Sequence, residues 1–424
     1  MAMDSTISPS FLKDCIEIII ILPLLVYFAW NLWMSYVQTL FLRSIKWTLL
    51  EIKPPKEVFK SPLAMELVLN SLYQTGGHGN WLQKYWQGKV RNWFALEIVS
   101  IEGNIHFYIR TPSGFKKLIE SQIYAQYPQA EVTEVEDYTA AVPDFAKGGP
   151  IGLFGTNLIL TKDDPYPIKT YIDFGLDRAV GSLDEEQRID PITPMLEFMG
   201  SIGIGEQIWF QIIVRGDTKR FTIKNKDGVD EEGKGWTDKA KDIIKAFNAG
   251  LTEKDKEGKT IATRRATKGE LGVIEAVERN ASKFGFDAGI RTIYLTAADK
   301  FDANRIAGVT GMVRQYNSSD FNSFRPDGVT GFDFPWQDMT GNKIVKKKND
   351  MLQAYKARAW FYGGFDLKKP QKYFTYPEKS GAKPYILSTE ELATMFHLPG
   401  RVAETPSFTR IEATKAEPPA NLPM

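Results

Sequence analysis

The sequence predicts an α+β fold in which one N-terminal transmembrane helix precedes β-β-α-β units that carry helical insertions. Three observations lead there. Residues 18–42 contain no charged side chain. Residues 94–135 pass through two alternating apolar segments, an amphipathic stretch and a third alternating segment. Residues 207–314 then give strand, helix, strand and helix patterns in an order that echoes the first set. With 43% apolar and 25% charged residues in 424, most of the chain can bury a core. A formal net charge of +1 excludes nucleic-acid binding driven by bulk charge. The single cysteine, Cys15, excludes an internal disulfide and suits a reducing compartment.

The uncharged run 18–42 makes a helix of about 37 Å, against a hydrocarbon core of about 30 Å. Tyr27, Trp30, Trp33 and Tyr36 are the amphipathic aromatics expected near an interface, and Pro23 sits early, where a kink is tolerated. A cleaved signal peptide and a buried soluble helix compete with this reading. The run is longer than a signal peptide's apolar core, and bulky residues follow it. Only Lys13 precedes it, whereas Arg43, Lys46, Lys53, Lys56 and Lys60 follow, which predicts an outside N-terminus and a cytoplasmic downstream domain. Residues 40–52 stay apolar at near-helical spacing, so the helix is expected to continue until Pro54 and Pro55 stop it.

Ser61-Pro62 opens a helix over 63–73. Residues 94–101 and 105–110 form strands around Glu102-Gly103-Asn104, a hairpin turn. Thr111-Pro112-Ser113 starts a helix to about 127, and 130–135 alternates as a half-buried strand. This is a β-β-α-β, ferredoxin-like unit. Residues 156–161 and 168–174 suggest a second hairpin. A helix follows Asp190-Pro191 to Gly200, and 207–215 is a strong strand. Residues 216–268 interleave both charge signs and read as an exposed insertion with a helix near 238–247. A helix over 268–284, a strand over 290–296 and a helix over 302–314 complete the second unit. A diverged duplication would leave this order, although sequence identity does not establish one. Residues 315–341 read as a long loop, and 343–361 as a helix with a basic patch of Lys346, Lys347 and Lys348. A solvated face is the favoured reading of that patch over a lipid or nucleic-acid contact.

The division expected is an extracytoplasmic N-terminus 1–17, the span 18–42, a linker 43–60, α+β units 61–200 and 201–341, a helical segment 342–400 and an extended tail 401–424. In the helical segment, Ser388 and Glu391 form a capping box. Leu392, Met395 and Phe396 give an apolar face suited to docking, His397 is a helix-end residue, and Pro399-Gly400 ends the helix.

The stretch LSTEELATMFHLPG at 387–400 and the following TPSFTRIEATKAEPPANLP resemble the segment before the motor domain of HerA/FtsK-like ATPases, relatives of type IV secretion and conjugation ATPases. Residues 96–138 and GEQIWFQIIV at 205–214 resemble an uncharacterised membrane-anchored domain of candidate-phyla (Patescibacteria-type) bacteria. The resemblance covers most of the chain from about Ser61. In many relatives the motor follows directly. Here the sequence ends at Met424, where it would begin, so the expectation is a chain without a motor.

A phosphate loop needs Gly, four residues, then Gly-Lys-Ser/Thr. Gly258-Lys259-Thr260 is the near match, but Glu253 stands at the first glycine position. There is no His-Glu-x-x-His motif and no cysteine pair, so no metal or cofactor is expected. A Ser-His-Asp triad leaves no linear signature, and none of His78, His106 and His397 has a recognisable setting. The acidic run Glu131, Glu134, Glu136 and Asp137 reads as a solvated strand face.

The functional expectation is a membrane-tethered, non-catalytic scaffold of a secretion-type or DNA-transfer machine. It would dock a HerA/FtsK-like ATPase through Glu390, Glu391, Leu392, Met395, Phe396, His397 and Pro399, with a homo-oligomer as a further option and nucleic acid not expected as a partner. The rivals are an enzyme with an unrecognised site, and a lipid- or nucleic-acid-binding protein using Lys346 to Lys348.

Overall fold

A computed structural model describes residues 9–55, 60–74, 79–177, 189–217, 235–250, 252–254, 260–262, 265–332, 334–361 and 383–400, with side chains of 9–20 and 252–262 outside that description. The chain divides into two compact units. Among the described residues the first holds 9–46 and 79–91, and the second holds the rest.

The first unit is built on α1 (Pro9–Ser44). Among the described residues no helix is long and apolar enough to cross a membrane. The transmembrane helix expected at 18–42 is therefore not supported by the described residues. From Ile21 onward the helix carries Pro23, Asn31, Ser35, Gln38 and Thr39 among its apolar residues, and these lower its hydropathy.

The helix also does not continue to Pro54. It ends at Ser44, and β1 (Trp47–Lys53) follows. Residues 40–52 have helical spacing, but β1 is flanked by β3 and β4 and buried on both faces, with Leu50 opposite Ile109 and Glu134. Two-sided burial removes the alternation that marks a strand, so the sequence pattern cannot separate the two states.

The second unit continues with α2 (Leu63–Ser71); α3 (Trp81–Tyr85) belongs to the first unit. Then come β2 (Phe94–Ile101), β3 (Asn104–Pro112), α4 (Lys116–Gln126) and β4 (Glu131–Val135). Glu102 and Gly103 both have positive φ, +53° and +87°, as a twist-matched two-residue hairpin turn requires. Next are β5 (Ile151–Leu160), α5 (Thr193–Gly200), β6 (Glu206–Gly216), α6 (Trp236–Gly250), β7 (Thr252–Lys254), β8 (Thr260–Ala262), α7 (Lys268–Ser282) and β9 (Gly285–Ala297). The chain closes with α8 (Arg305–Gly311), β10 (Phe324–Asp327), α9 (Asn342–Ala357), β11 (Tyr385–Ser388) and α10 (Thr389–Met395).

The nine-stranded sheet is antiparallel, in order β10-β5-β9-β6-β2-β3-β1-β4, with β11 pairing the start of β9. Its two halves share one connectivity. The first runs β1-α2-β2-β3-α4-β4 in order β4-β1-β3-β2; the second runs β5-α5-β6-β9-α8-β10 in order β10-β5-β9-β6. They join through β2 and β6, where Ile98 faces Phe210. The expected β-β-α-β unit thus gains a strand and a helix at its start.

The hairpin expected at 168–174 does not form. Those backbone groups are taken by side chains instead: Ile168 N–H donates to Glu391 at 2.9 Å, and Tyr171 N–H donates to the Thr394 hydroxyl at 3.0 Å. β10 lies in the expected long loop, where Pro326 hides it from a strand pattern.

Helices α2, α4, α5, α8 and α10 cover one sheet face, closing a continuous core through Met65, Ile123, Met195, Val309 and Leu392. Each such side chain, fully buried, contributes about 1.5–3 kcal/mol. On the other face a smaller core forms where Met351, Leu352 and Tyr355 of α9 meet Val99, Trp209 and Ile293. Trp360, just beyond α9, lies on Gly289 so closely that a Cβ there would fall 2.0 Å from its ring.

Candidate functional site

The fold gathers charged side chains in two places. On the α9 face, Arg358 is 1% exposed and adopts φ +50°, in the left-handed region. Its Nε donates to Glu97 Oε1 at 2.9 Å, and its Nη2 to Glu97 Oε2 at 3.1 Å and Asp137 Oδ1 at 3.0 Å. Its Nη1 donates to Asp137 Oδ2 and the Lys356 carbonyl. Glu97 is fully buried and also accepts from the Tyr138 hydroxyl and from Gln211, each at 2.8 Å. Arg291 extends the network to Asn157 and the Ala359 carbonyl and stacks under Trp360. Burial alone would raise the Asp137 carboxyl, and Arg358 overrides it, holding the group below the usual range. Burial raises the Tyr138 and Tyr355 phenols, so neither offers an ionised oxygen near neutrality. Arg358, Glu97 and Asp137 face one another, an arrangement that pins the end of α9 to the sheet.

The second cluster surrounds α10. Glu66 accepts from Tyr171 OH at 2.8 Å and from Lys283 at 2.8 Å. Glu390 accepts from Thr170 at 2.7 Å and Arg279 at 3.1 Å. Glu391 makes the expected capping box with Ser388, and burial pushes its carboxyl up to about 8. His397 places Nδ1 on the Ala393 carbonyl at 2.8 Å and Nε2 on Asp190 at 3.0 Å. Both ring nitrogens face acceptors, so neither can take a proton from a serine. This Asp–His couple is not part of a nucleophilic triad.

The docking face expected on α10 is therefore inside the protein. Glu390 is 2% exposed; Glu391, Leu392, Met395 and Phe396 are at 0%, and His397 is at 1%. Pro399 is buried too. An apolar stripe of three residues serves a core as well as a partner, and the sequence did not separate the two. The tail 401–424 lies outside the described residues.

The basic patch also disperses. Lys346 is exposed, Lys347 donates to the Gly331 carbonyl, and Lys348 lies over Phe145 and Phe301, where burial lowers its pKa. Of the acidic run, Glu131 pairs with Lys53 and Glu134 with Lys116, whereas Asp137 turns inward to Arg358. Among the described residues no group of His, Cys, Asp or Glu could hold a metal ion. Thr260 opens β8 opposite Lys254 of β7, and Gly258 and Lys259 of the near phosphate-loop match lie outside the described residues.

One half-buried acid–base pair went unnoticed in the sequence. Glu51 accepts from His106 Nδ1 at 2.6 Å, and this bond lowers the Glu51 carboxyl. Fifty-five positions separate the two, and only the β1–β3 register joins them.

Among the described residues, a run of exposed apolar side chains lies on the first unit. Residues 21–30 are all exposed, with Leu24 at 68% and Phe28 at 60%. Beyond them α3, capped by Asn80 and Gln83, packs on α1. Trp33 donates to the Tyr85 carbonyl at 2.9 Å, and the ring centroids of Trp30–Tyr85 and Trp33–Trp86 lie 5.6 Å apart.

The profile of a family described as "Domain of unknown function (DUF8128)" matches residues 27–410. The chain belongs to this family. The match takes in both sheet halves and the C-terminal half of α1. The curated proteins include no match to this member of the family.

Proposed function

We propose that this DUF8128 protein is a membrane-tethered, non-catalytic scaffold. In this reading α1 anchors it in the cell membrane with the N-terminus outside, and the second unit is a cytoplasmic platform for a HerA/FtsK-like ATPase of a secretion or DNA-transfer machine. The observation that carries the tether is the order along α1. Ten exposed residues without charge come first, then the aromatic group Trp30, Trp33 and Tyr36 with α3, then Arg43 and Lys46. That is the depth order of hydrocarbon, interface and headgroup. Ile18, Ile19 and Ile20 continue the apolar sequence toward the N-terminus. The non-catalytic reading is supported by the mutual pairing of the buried charges. The shared strand order of the two halves supports a duplicated ferredoxin-like platform.

Two measurements test this. The full chain should resist alkaline carbonate extraction and float with lipid, whereas Leu24→Lys/Leu25→Lys should not. Wild-type protein that stays soluble without detergent, as a monomer or as a helix-packed oligomer, would remove the tether. For the ATPase contact, truncation must follow Gly400, because removing α10 would open the core. Equal recovery of the ATPase by the full chain and by 1–400 would exclude the tail as its docking segment.

A further inference from the structure

The loop between β10 and α9 exposes what a folded surface ordinarily hides. Phe334 is 49% exposed, Trp336 69% and Met339 89%. The rings of Phe334 and Trp336 stack with centroids 4.6 Å apart and planes 9° apart, so the three side chains offer one apolar tip. Lysines hold its frame. Lys347 donates to the Gly331 carbonyl at 3.3 Å, Lys147 to the Thr340 carbonyl at 2.9 Å and Lys343 to the Gln337 carbonyl at 3.0 Å. A carbonyl does not neutralise an ammonium, so these three, with exposed Lys346, remain cations around the tip. Against these four stand two acidic residues of the stretch, Asp333 in the sequence and Asp338, which accepts from the Ile344 N–H at 2.7 Å as α9 begins.

We propose that Phe334, Trp336 and Met339, with Lys147, Lys343, Lys346 and Lys347 around them, are a second, peripheral membrane contact that docks on an anionic bilayer surface, the Phe334–Trp336–Met339 tip entering the interface and the lysines meeting lipid phosphates and carboxylates. The inference rests on the tether reading. An apolar tip rimmed by lysine is the composition of an interfacial segment, and its positive excess complements a negative leaflet. A flexible, highly exposed methionine suits lipid better than a planar base, which sets this partner ahead of single-stranded nucleic acid. The tether makes a weak contact sufficient. Only Ile45 and Lys46 separate α1 from β1, so the platform stays near the surface at high effective concentration.

The test uses full-length Cys15→Ser/Met339→Cys carrying an environment-sensitive dye, reconstituted into phosphatidylcholine vesicles with or without phosphatidylserine. Flotation reports the tether and the dye reports the loop. The expected result is equal flotation in both lipids, with a blue shift that is larger on anionic vesicles and falls with salt. Lys343→Glu and Lys346→Glu should each lower the docked fraction's ratio about fivefold or more. Protein that floats with no shift on either vesicle overturns the loop contact and leaves the tether standing. Protein that does not float overturns both. A shift produced by a single-stranded oligonucleotide in detergent, and not by anionic vesicles, overturns the lipid assignment.

Discussion

Replacing Arg358 by methionine is expected to cost about 3–5 kcal/mol of folding stability, the range for breaking a buried pair from one side. The source is Glu97. With 0% exposure it cannot recover the lost donors from water, and it keeps only the Tyr138 hydroxyl and Gln211. Asp137, with its side chain 34% exposed, is resolvated and adds little. Methionine is the right substitution because it leaves the left-handed backbone at φ +50° as it was, whereas glycine would also relieve strain there. Equilibrium unfolding by denaturant in mild detergent gives the loss as a shift in midpoint at unchanged slope. Adding Glu97→Gln to Arg358→Met removes the stranded charge and should recover about 1–3 kcal/mol. An Arg358→Met loss below about 1 kcal/mol, or a double variant no more stable than the single one, would refute the claim that the Arg358–Glu97 pairing pins the end of α9 to the sheet.

Two further outcomes concern other buried positions. Gly289→Ala sets a Cβ against the Trp360 ring, which must shift, at a cost of about 1–3 kcal/mol; near-UV circular dichroism should report the displaced indole, and an unchanged spectrum at unchanged stability would count against the contact. The Glu391 carboxyl sits above its unfolded value, at about 8, so its contribution is full below the unfolded pKa and is lost as pH rises through the folded one. Glu391→Gln should therefore flatten the fall in stability between about pH 5 and 8, and an unaltered pH profile would contradict a buried, proton-retaining carboxyl.

Much of the second unit is legible from local pattern. The β2–β3 hairpin follows from alternation around Glu102-Gly103. The cap of α10 follows from Ser388 and Glu391, and α9 from a run free of Gly and Pro. These are short-range consequences of dihedral preference and period, which a sequence carries directly. The failures share one cause, contacts between residues far apart in the chain. Residues 47–53 are a strand because β3 and β4 offer partners on both sides, and 168–174 are not one because α10 supplies their hydrogen-bond acceptors. The apolar stripe of α10 predicts burial correctly but not against what, and the fold answers with its own core. The sequence by itself determined the uncharged run 18–42, most of the α+β elements, and that it carries no complete phosphate-loop or His-Glu-x-x-His motif. Only the tertiary structure decided which charges meet: Glu97 and Arg358 are 261 positions apart, and Glu66 and Lys283 are 217. Low-dielectric pairing depends on distance in space, and strand register sets that distance.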